Sequence, residues 1–103
     1  MSTQAKIKQQ IEDNAIILYM KGNAELPMCG FSARAVNILK SCGAQFTTVD
    51  ILQDEEIRQG IKVYSNWPTI PQLYVKGEFI GGSDILAEMY EAGELQELIK
   101  TVV

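Results

Sequence analysis

Two spacings of apolar residues alternate along the chain, and their alternation predicts an α/β fold. Near the start, Ile7 and Ile11 stand four positions apart among polar residues, which predicts a short amphipathic helix over residues 3–13. Residues 15–20 then form a continuous apolar run of strand length. Because continuous apolar residues are typical of a strand buried on both faces, this run is predicted to lie inside a sheet.

The same two patterns continue to the end of the chain. Further helices are predicted over residues 32–42, 54–64 and 85–98. Further strands are predicted over residues 46–51, 72–75 and 78–80. Gly43 is placed to cap one helix, Gly93 to break the last one, and Lys76-Gly77 to form a hairpin turn. The order α-β-α-β-α-β-β-α predicts a four-stranded mixed sheet flanked by helices.

Length and charge narrow the class of protein. The 103 residues are enough for one compact domain, residues 1–103, and too few for two. A net charge of −4 argues against nucleic acid as a partner. No signal-peptide core or membrane-length apolar run is found, so no membrane association is expected. We expect a cytoplasmic protein, or a mitochondrial or plastid-type protein whose transit peptide was removed.

The chain has two cysteines and no histidine. With so few thiols and imidazoles, the composition argues against a four-ligand zinc site. Cys29 stands where a loop meets the predicted helix, and the free N–H groups and positive dipole of a helix start favour a thiolate. Lys21 is a second candidate activator. A small buried cysteine is the alternative, although Gly30 and the preceding loop favour exposure.

The residues around this cysteine restrict its chemistry. Cys42 falls on the apolar stripe of the same helix, roughly 20 Å from Cys29 along a helix of that length, so a disulfide is excluded and core packing is expected. Ser32 stands where a Cys-x-x-Cys motif has its second cysteine. A serine can cap the helix but cannot resolve a mixed disulfide, which disfavours dithiol oxidoreductase chemistry.

Three further features are ambiguous when taken alone. Gly81-Gly82 precedes Ser83 and Asp84, whose N–H groups could bind a carboxylate. Asp84 could also pair with an ammonium group, although a plain helix N-cap is the favoured interpretation of this turn alone. Arg58 lies in an acidic helix, where a solvated side chain is expected. Ile70-Pro71 precedes a strand, but local sequence does not establish a cis peptide bond.

Taken in order, these motifs resemble one protein family. The chain is similar to a monothiol glutaredoxin of the Cys-Gly-Phe-Ser class, in its short single-domain form, over about residues 7–100. The residues that carry the resemblance are Lys21, Pro27, Cys29-Gly30-Phe31-Ser32, Trp67-Pro68-Thr69-Ile70-Pro71 and Gly81-Gly82-x-Asp84.

The resemblance implies a thioredoxin-like fold, with Ile70-Pro71 as a cis-proline loop, and a groove for glutathione. By position, Lys21 and Arg58 match the cations that hold the glycine carboxylate of glutathione. The backbone of Ile70 would pair with its cysteine, and Ser83 and Asp84 would bind its γ-glutamyl end.

It also implies a [2Fe–2S] cluster bridged between two protomers. Each protomer would supply the Cys29 thiolate and one glutathione thiolate, as a homodimer that forms when the cluster is loaded. The implied role is cluster transfer to apo iron–sulfur proteins and iron homeostasis, with a BolA-like protein as a further partner. Many members carry cysteine where this chain has Ser83, so a regulatory disulfide between that turn and Cys29 is not expected.

Two other functions stay open. One cysteine suffices for glutathione-dependent thiol–disulfide exchange, since glutathione can resolve the intermediate. The loop 22–28 is implied to make this activity weak. The second alternative is a regulatory module that senses iron, which the sequence does not separate from a carrier.

Overall fold

The computed structural model describes residues 2–102, and within that range it contains five helices and four strands. In chain order these are α1 (Thr3–Asp13), β1 (Ile16–Met20), α2 (Gly30–Ser41), β2 (Thr47–Asp50), α3 (Glu55–Ser65), β3 (Gln72–Val75), β4 (Glu78–Gly81), α4 (Ser83–Glu91) and α5 (Glu94–Lys100). None of the helices within residues 2–102 is long and apolar enough to cross a membrane.

The strands form one sheet in the order β2-β1-β3-β4. Strand β1 runs parallel to β2 and antiparallel to β3, and β3 runs antiparallel to β4. In the register, Leu18 of β1 lies between Thr48 and Leu73. The predicted four-stranded mixed sheet is therefore confirmed.

Strand β1 is buried on both faces, which explains its continuous apolar sequence. Because side chains alternate along a strand, Ile16, Leu18 and Met20 enter the core cluster shared with α2, α4 and α5. Ile17 and Tyr19 enter the opposite cluster, which α1 and α3 cover. Each such buried side chain contributes about 1.5–3 kcal/mol of hydrophobic stabilisation. The sheet thus has a core on each side.

Two helices start two residues earlier than predicted, and α3 starts one residue later, at Glu55. Helix α2 begins at Gly30, two residues earlier than expected, because the Cys29 side chain is the N-cap and accepts the N–H of Ser32. Helix α4 takes Gly82 as its N-cap, so Ser83 is its first residue and its hydroxyl makes no cap hydrogen bond. The predicted Ser83-Asp84 cap pair was therefore wrong.

The break in the last helical segment is confirmed. Helix α4 ends at Glu91, and α5 begins at Glu94 after Gly93, whose φ of 77° lies in the left-handed region that favours glycine.

The sheet topology brings distant segments to one end of the molecule. Because β1 and β3 are antiparallel, with Tyr19 opposite Gln72, the end of β1 and the start of β3 share one edge. The chain leaves β1 toward Cys29 at that edge and enters β3 through Ile70-Pro71, whose peptide bond is cis. The candidate residues from the first and second halves of the chain therefore meet there.

Candidate active site

Cys29 lies at the start of α2 with its side chain half-buried. Its Sγ accepts the backbone N–H of Ser32 at 3.3 Å, and the Ser32 hydroxyl lies 3.3 Å from the same sulfur. Burial raises the pKa of the Cys29 thiol, but hydrogen bonds from Ser32 and from the Phe31 N–H, and the charge of Lys21, outweigh it. The net pKa is below that of an ordinary cysteine, which favours the reactive thiolate.

Ser32 connects Cys29 to Lys21. Its fully buried hydroxyl accepts the backbone N–H of Lys21 at 3.1 Å. The Lys21 N–H uses only a lone pair of the hydroxyl oxygen, so the hydroxyl proton can be donated to the Cys29 sulfur 3.3 Å away. Ser32, which stands where a Cys-x-x-Cys motif has its second cysteine, therefore stabilises the thiolate of Cys29.

The loop between β1 and Cys29 is held by backbone hydrogen bonds. Met28 donates its N–H to the carbonyl of Lys21 at 2.8 Å, and Gly22 donates its N–H to Oδ1 of Asp50 at 2.9 Å. Gly22 has a φ of 87°, and a Cβ at this position would collide with the carbonyl of Leu26. The loop therefore requires glycine here and delivers Cys29 to a defined place.

A groove of about 200 Å³ opens next to Phe31, two residues after Cys29 in the chain, although Cys29 itself does not line it. Three segments meet around it: the start of α2, the loop before β3 and the turn into α4. Its walls include the predicted residues Ile70, Ser83 and Asp84. They also include residues that were not predicted to bind a ligand, namely Phe31, Trp67, Thr69, Pro71, Gly82 and Ile85.

Gln72 anchors one wall of the groove from behind. This fully buried side chain donates from Nε2 to the carbonyls of Trp67 and Thr69, each at 3.1 Å. Its Oε1 accepts the hydroxyl of Tyr74 at 3.2 Å. Sequence reasoning missed this role, although a glutamine that opens an otherwise apolar strand is the signal that could have found it.

The turn into α4 offers unused polar groups to the groove. The Ser83 hydroxyl is buried and has no hydrogen-bond partner among residues 2–102. The first N–H groups of a helix also have no partner within the helix, which suits an anion. Asp84 is exposed, and its Oδ1 lies 3.1 Å from Nη1 of Arg34. Sequence reasoning did not single out Arg34.

The structure does not bring the two predicted cations to the groove wall. Lys21 is close enough to lower the pKa of Cys29, but it does not line the groove. Arg58 is half-buried on α3, and its nearest carboxylate is Glu55 at 3.9 Å. Their assignment to the glycine carboxylate of glutathione stays a prediction.

Cys42 lies at the other end of α2, where it is the C-cap residue. It is half-buried and packs against the core, and burial raises the pKa of its thiol. Within residues 2–102 no three histidine, cysteine, aspartate or glutamate side chains are grouped to hold a metal ion. Of the two thiols, Cys29 alone has a lowered pKa.

Comparison with known proteins identifies close relatives. A family model described as Glutaredoxin matches residues 16–80. The chain is 54% identical to the "Uncharacterized monothiol glutaredoxin ycf64-like" of Synechocystis, covering 98% of this chain and 94% of that protein. It is 58% identical to Glutaredoxin 4 of Escherichia coli K12, covering 96% of this chain and 86% of that protein.

Solved structures share the fold. The solution structure of reduced poplar apo GrxS14 matches with a TM-score of 0.84 at 47% identity, covering 96% of this chain and 91% of that one. A buckwheat glutaredoxin, solved as its complex with glutathione, matches with a TM-score of 0.86 at 21% identity, covering 97% of this chain and 89% of that one. These similarities confirm the thioredoxin-like fold.

Proposed function

Because this chain belongs to the glutaredoxin family, among its monothiol members, we propose that it binds glutathione beside Cys29 and carries a [2Fe–2S] cluster between two copies of itself. The observation that carries the proposal is a thiol of lowered pKa at the same helix start that supplies Phe31 to a groove, with the unpaired hydroxyl of Ser83 in the groove wall. The cluster would be delivered to apo iron–sulfur proteins.

The groove has the polar groups that a γ-glutamyl tripeptide needs. The backbone of Ile70 lies in its wall and suits an extended peptide, which pairs through main-chain hydrogen bonds. Ser83 offers an unpaired buried hydroxyl and a helix-start N–H for a carboxylate. Asp84 offers a carboxylate for an ammonium group. Glutathione carries all three complementary groups.

Cys29 fits the cluster as a ligand because iron–sulfur clusters are held by thiolates. Burial raises the pKa of its thiol, but the hydrogen bonds from Ser32 and the charge of Lys21 lower it further than that, which favours the deprotonated form that ligates iron. One Cys29 from each of two copies, with two glutathione sulfurs, makes four ligands. When bound, the cluster supplies the iron and sulfide that are transferred.

Exposed apolar side chains close to Cys29 in the chain and along the groove support the second copy as a partner. Met28 and Phe31, its near neighbours in the chain, are 59% and 63% exposed. Leu26, Trp67 and Ile85 are also exposed, and the last two line the groove. We name these five side chains the apolar rim. A BolA-like protein and the client proteins would meet the same rim.

Anaerobic reconstitution with iron, sulfide and glutathione tests the proposal. We expect a coloured protein with the mass of a dimer, and no colour when glutathione is left out. Cys29→Ser is expected to remove colour and dimer while the circular dichroism spectrum stays unchanged. Cys42→Ser, the matched control, keeps both. A colourless monomer formed by the wild-type protein under these conditions would reject the proposal.

The acidified thiol of Cys29 also favours a second function, the reduction of glutathione mixed disulfides. Its thiolate would attack the glutathione sulfur of the mixed disulfide and release the client thiolate. A second glutathione thiolate would then attack the Cys29–glutathione disulfide, which forms oxidised glutathione and restores Cys29. We expect this turnover to be weak, and an assay with a glutathionylated peptide measures it. Fast turnover would make the enzyme the primary function.

A further inference from the structure

An ion pair connects the helix that carries Cys29 to the turn that borders the groove. Arg34 lies in the second turn of α2, outside the lining of the groove, and its Nη1 is 3.1 Å from Oδ1 of Asp84, which lines the groove from the first turn of α4. The two side chains are 50% and 84% exposed. An ion pair this exposed adds little stability to the fold and leaves both charges accessible to a ligand.

The two charges match the charges of an α-amino acid. The γ-glutamyl end of glutathione carries an ammonium and a carboxylate on one carbon atom. Asp84 can accept a hydrogen bond from the ammonium group at its second oxygen. Arg34 has five N–H donors, of which one is directed to Asp84 and others can be directed to the carboxylate of the ligand. The helix-start N–H groups of Ser83 and Asp84 lie at the same turn.

We propose that Arg34 is a selectivity-determining residue which, with Asp84, recognises the amino-acid end of the γ-glutamyl group by its carboxylate. This inference rests on the glutathione binding proposed above and adds a residue to that site. It predicts that the chain discriminates against ligands that lack the α-carboxylate, and that Arg34 carries part of this discrimination.

Three ligands separate the two charges. Glutathione has both groups, 4-aminobutyryl-Cys-Gly lacks the α-carboxylate, and glutaryl-Cys-Gly lacks the ammonium. Binding of each to the reduced apo protein is measured by NMR titration. Arg34→Gln is expected to weaken the binding of glutathione and of glutaryl-Cys-Gly about five-fold, which is the effect of one exposed charge contact. The affinity for 4-aminobutyryl-Cys-Gly should stay unchanged. The loss should shrink at high salt because exposed charges are screened.

Two controls accompany the experiment. Lys8→Gln removes one exposed positive charge from α1, where its partner is Glu12 at 3.9 Å, and should change no affinity. Arg34→Lys keeps the charge and should retain most of the glutathione affinity. Equal thermal midpoints for all variants would show that the fold is intact.

The outcomes separate the inference from the proposed function. An equal effect of Arg34→Gln on all three ligands, or tighter glutathione binding, would overturn the role of Arg34 while leaving glutathione binding in place. Failure of the wild-type protein to bind glutathione would overturn the proposed function and this inference with it.

Discussion

The pKa of Cys29 is lowered chiefly by hydrogen bonds from a serine, against the effect of burial, rather than by a second cysteine or a histidine. The Ser32 hydroxyl contacts the Cys29 sulfur and also accepts the backbone N–H of Lys21, so one buried side chain both stabilises the thiolate and holds the backbone of the lysine whose charge lowers its pKa. Removal of this hydroxyl therefore affects acidity and local structure together.

Ser32→Ala tests this role in a Cys42→Ser background, where Cys29 is the only thiol. Loss of the hydrogen bond to the sulfur should raise the pKa of Cys29. The rate of iodoacetamide alkylation should then reach its plateau at a higher pH than in the parent, and be slower at pH values below the pKa of the parent thiol. The unpaired Lys21 N–H should cost about 1–2 kcal/mol of unfolding free energy. Ser41→Ala, an exposed site on the same helix, is the control. Identical alkylation profiles would contradict this role.

The loop before α2 is the element that places Cys29, and Gly22 and Gly77 form a matched pair for testing it. Both have positive φ, 87° and 83°, but a Cβ at Gly77 would meet open space while one at Gly22 would collide with the carbonyl of Leu26. Gly77→Ala should cost about 1 kcal/mol from backbone conformation alone. Gly22→Ala should cost about 3 kcal/mol and slow alkylation of Cys29. Urea unfolding measures both costs, and equal costs would contradict the collision.

The loop before β3 depends on Gln72. Gln72→Met keeps the length of the side chain but removes the hydrogen bonds to the carbonyls of Trp67 and Thr69, so we expect a loss of about 2 kcal/mol. Tyr74→Phe removes only the hydrogen bond from the Tyr74 hydroxyl to Oε1 of Gln72 and should cost about 1 kcal/mol of unfolding free energy. Trp67 is the only tryptophan in the chain, and its fluorescence should become easier to quench by acrylamide in Gln72→Met alone. Equal quenching of Trp67 in the wild type and in Gln72→Met would show that Gln72 does not hold this loop.

At the scale of the whole molecule, the sequence predicts what depends on neighbours in the chain. The continuous apolar run of β1 predicts a strand that is buried on both faces of the sheet. The four-residue spacing of Ile7 and Ile11 predicts α1, because side chains on one face of a helix recur with a fixed period. The contact between Arg34 and Asp84 spans fifty positions and has no such period. The partners of Gln72 likewise depend on how the loop folds back on it. Periodicity therefore predicts the fold, while these contacts require the assembled structure.

The apolar rim gives a prediction for the assembled dimer. Met28 and Val63 are both exposed, 59% and 73%, so a glutamine at either position should leave the stability of the monomer nearly unchanged. If two copies meet across their Cys29 faces, Met28 becomes covered and Val63, on α3, does not. Met28→Gln would then force an amide group out of water and raise the dissociation constant of the cluster-loaded dimer about ten-fold. Val63→Gln should leave that constant unchanged. Sedimentation of the anaerobically reconstituted proteins measures both constants, and an equal response of the two variants would place the dimer contact away from the rim.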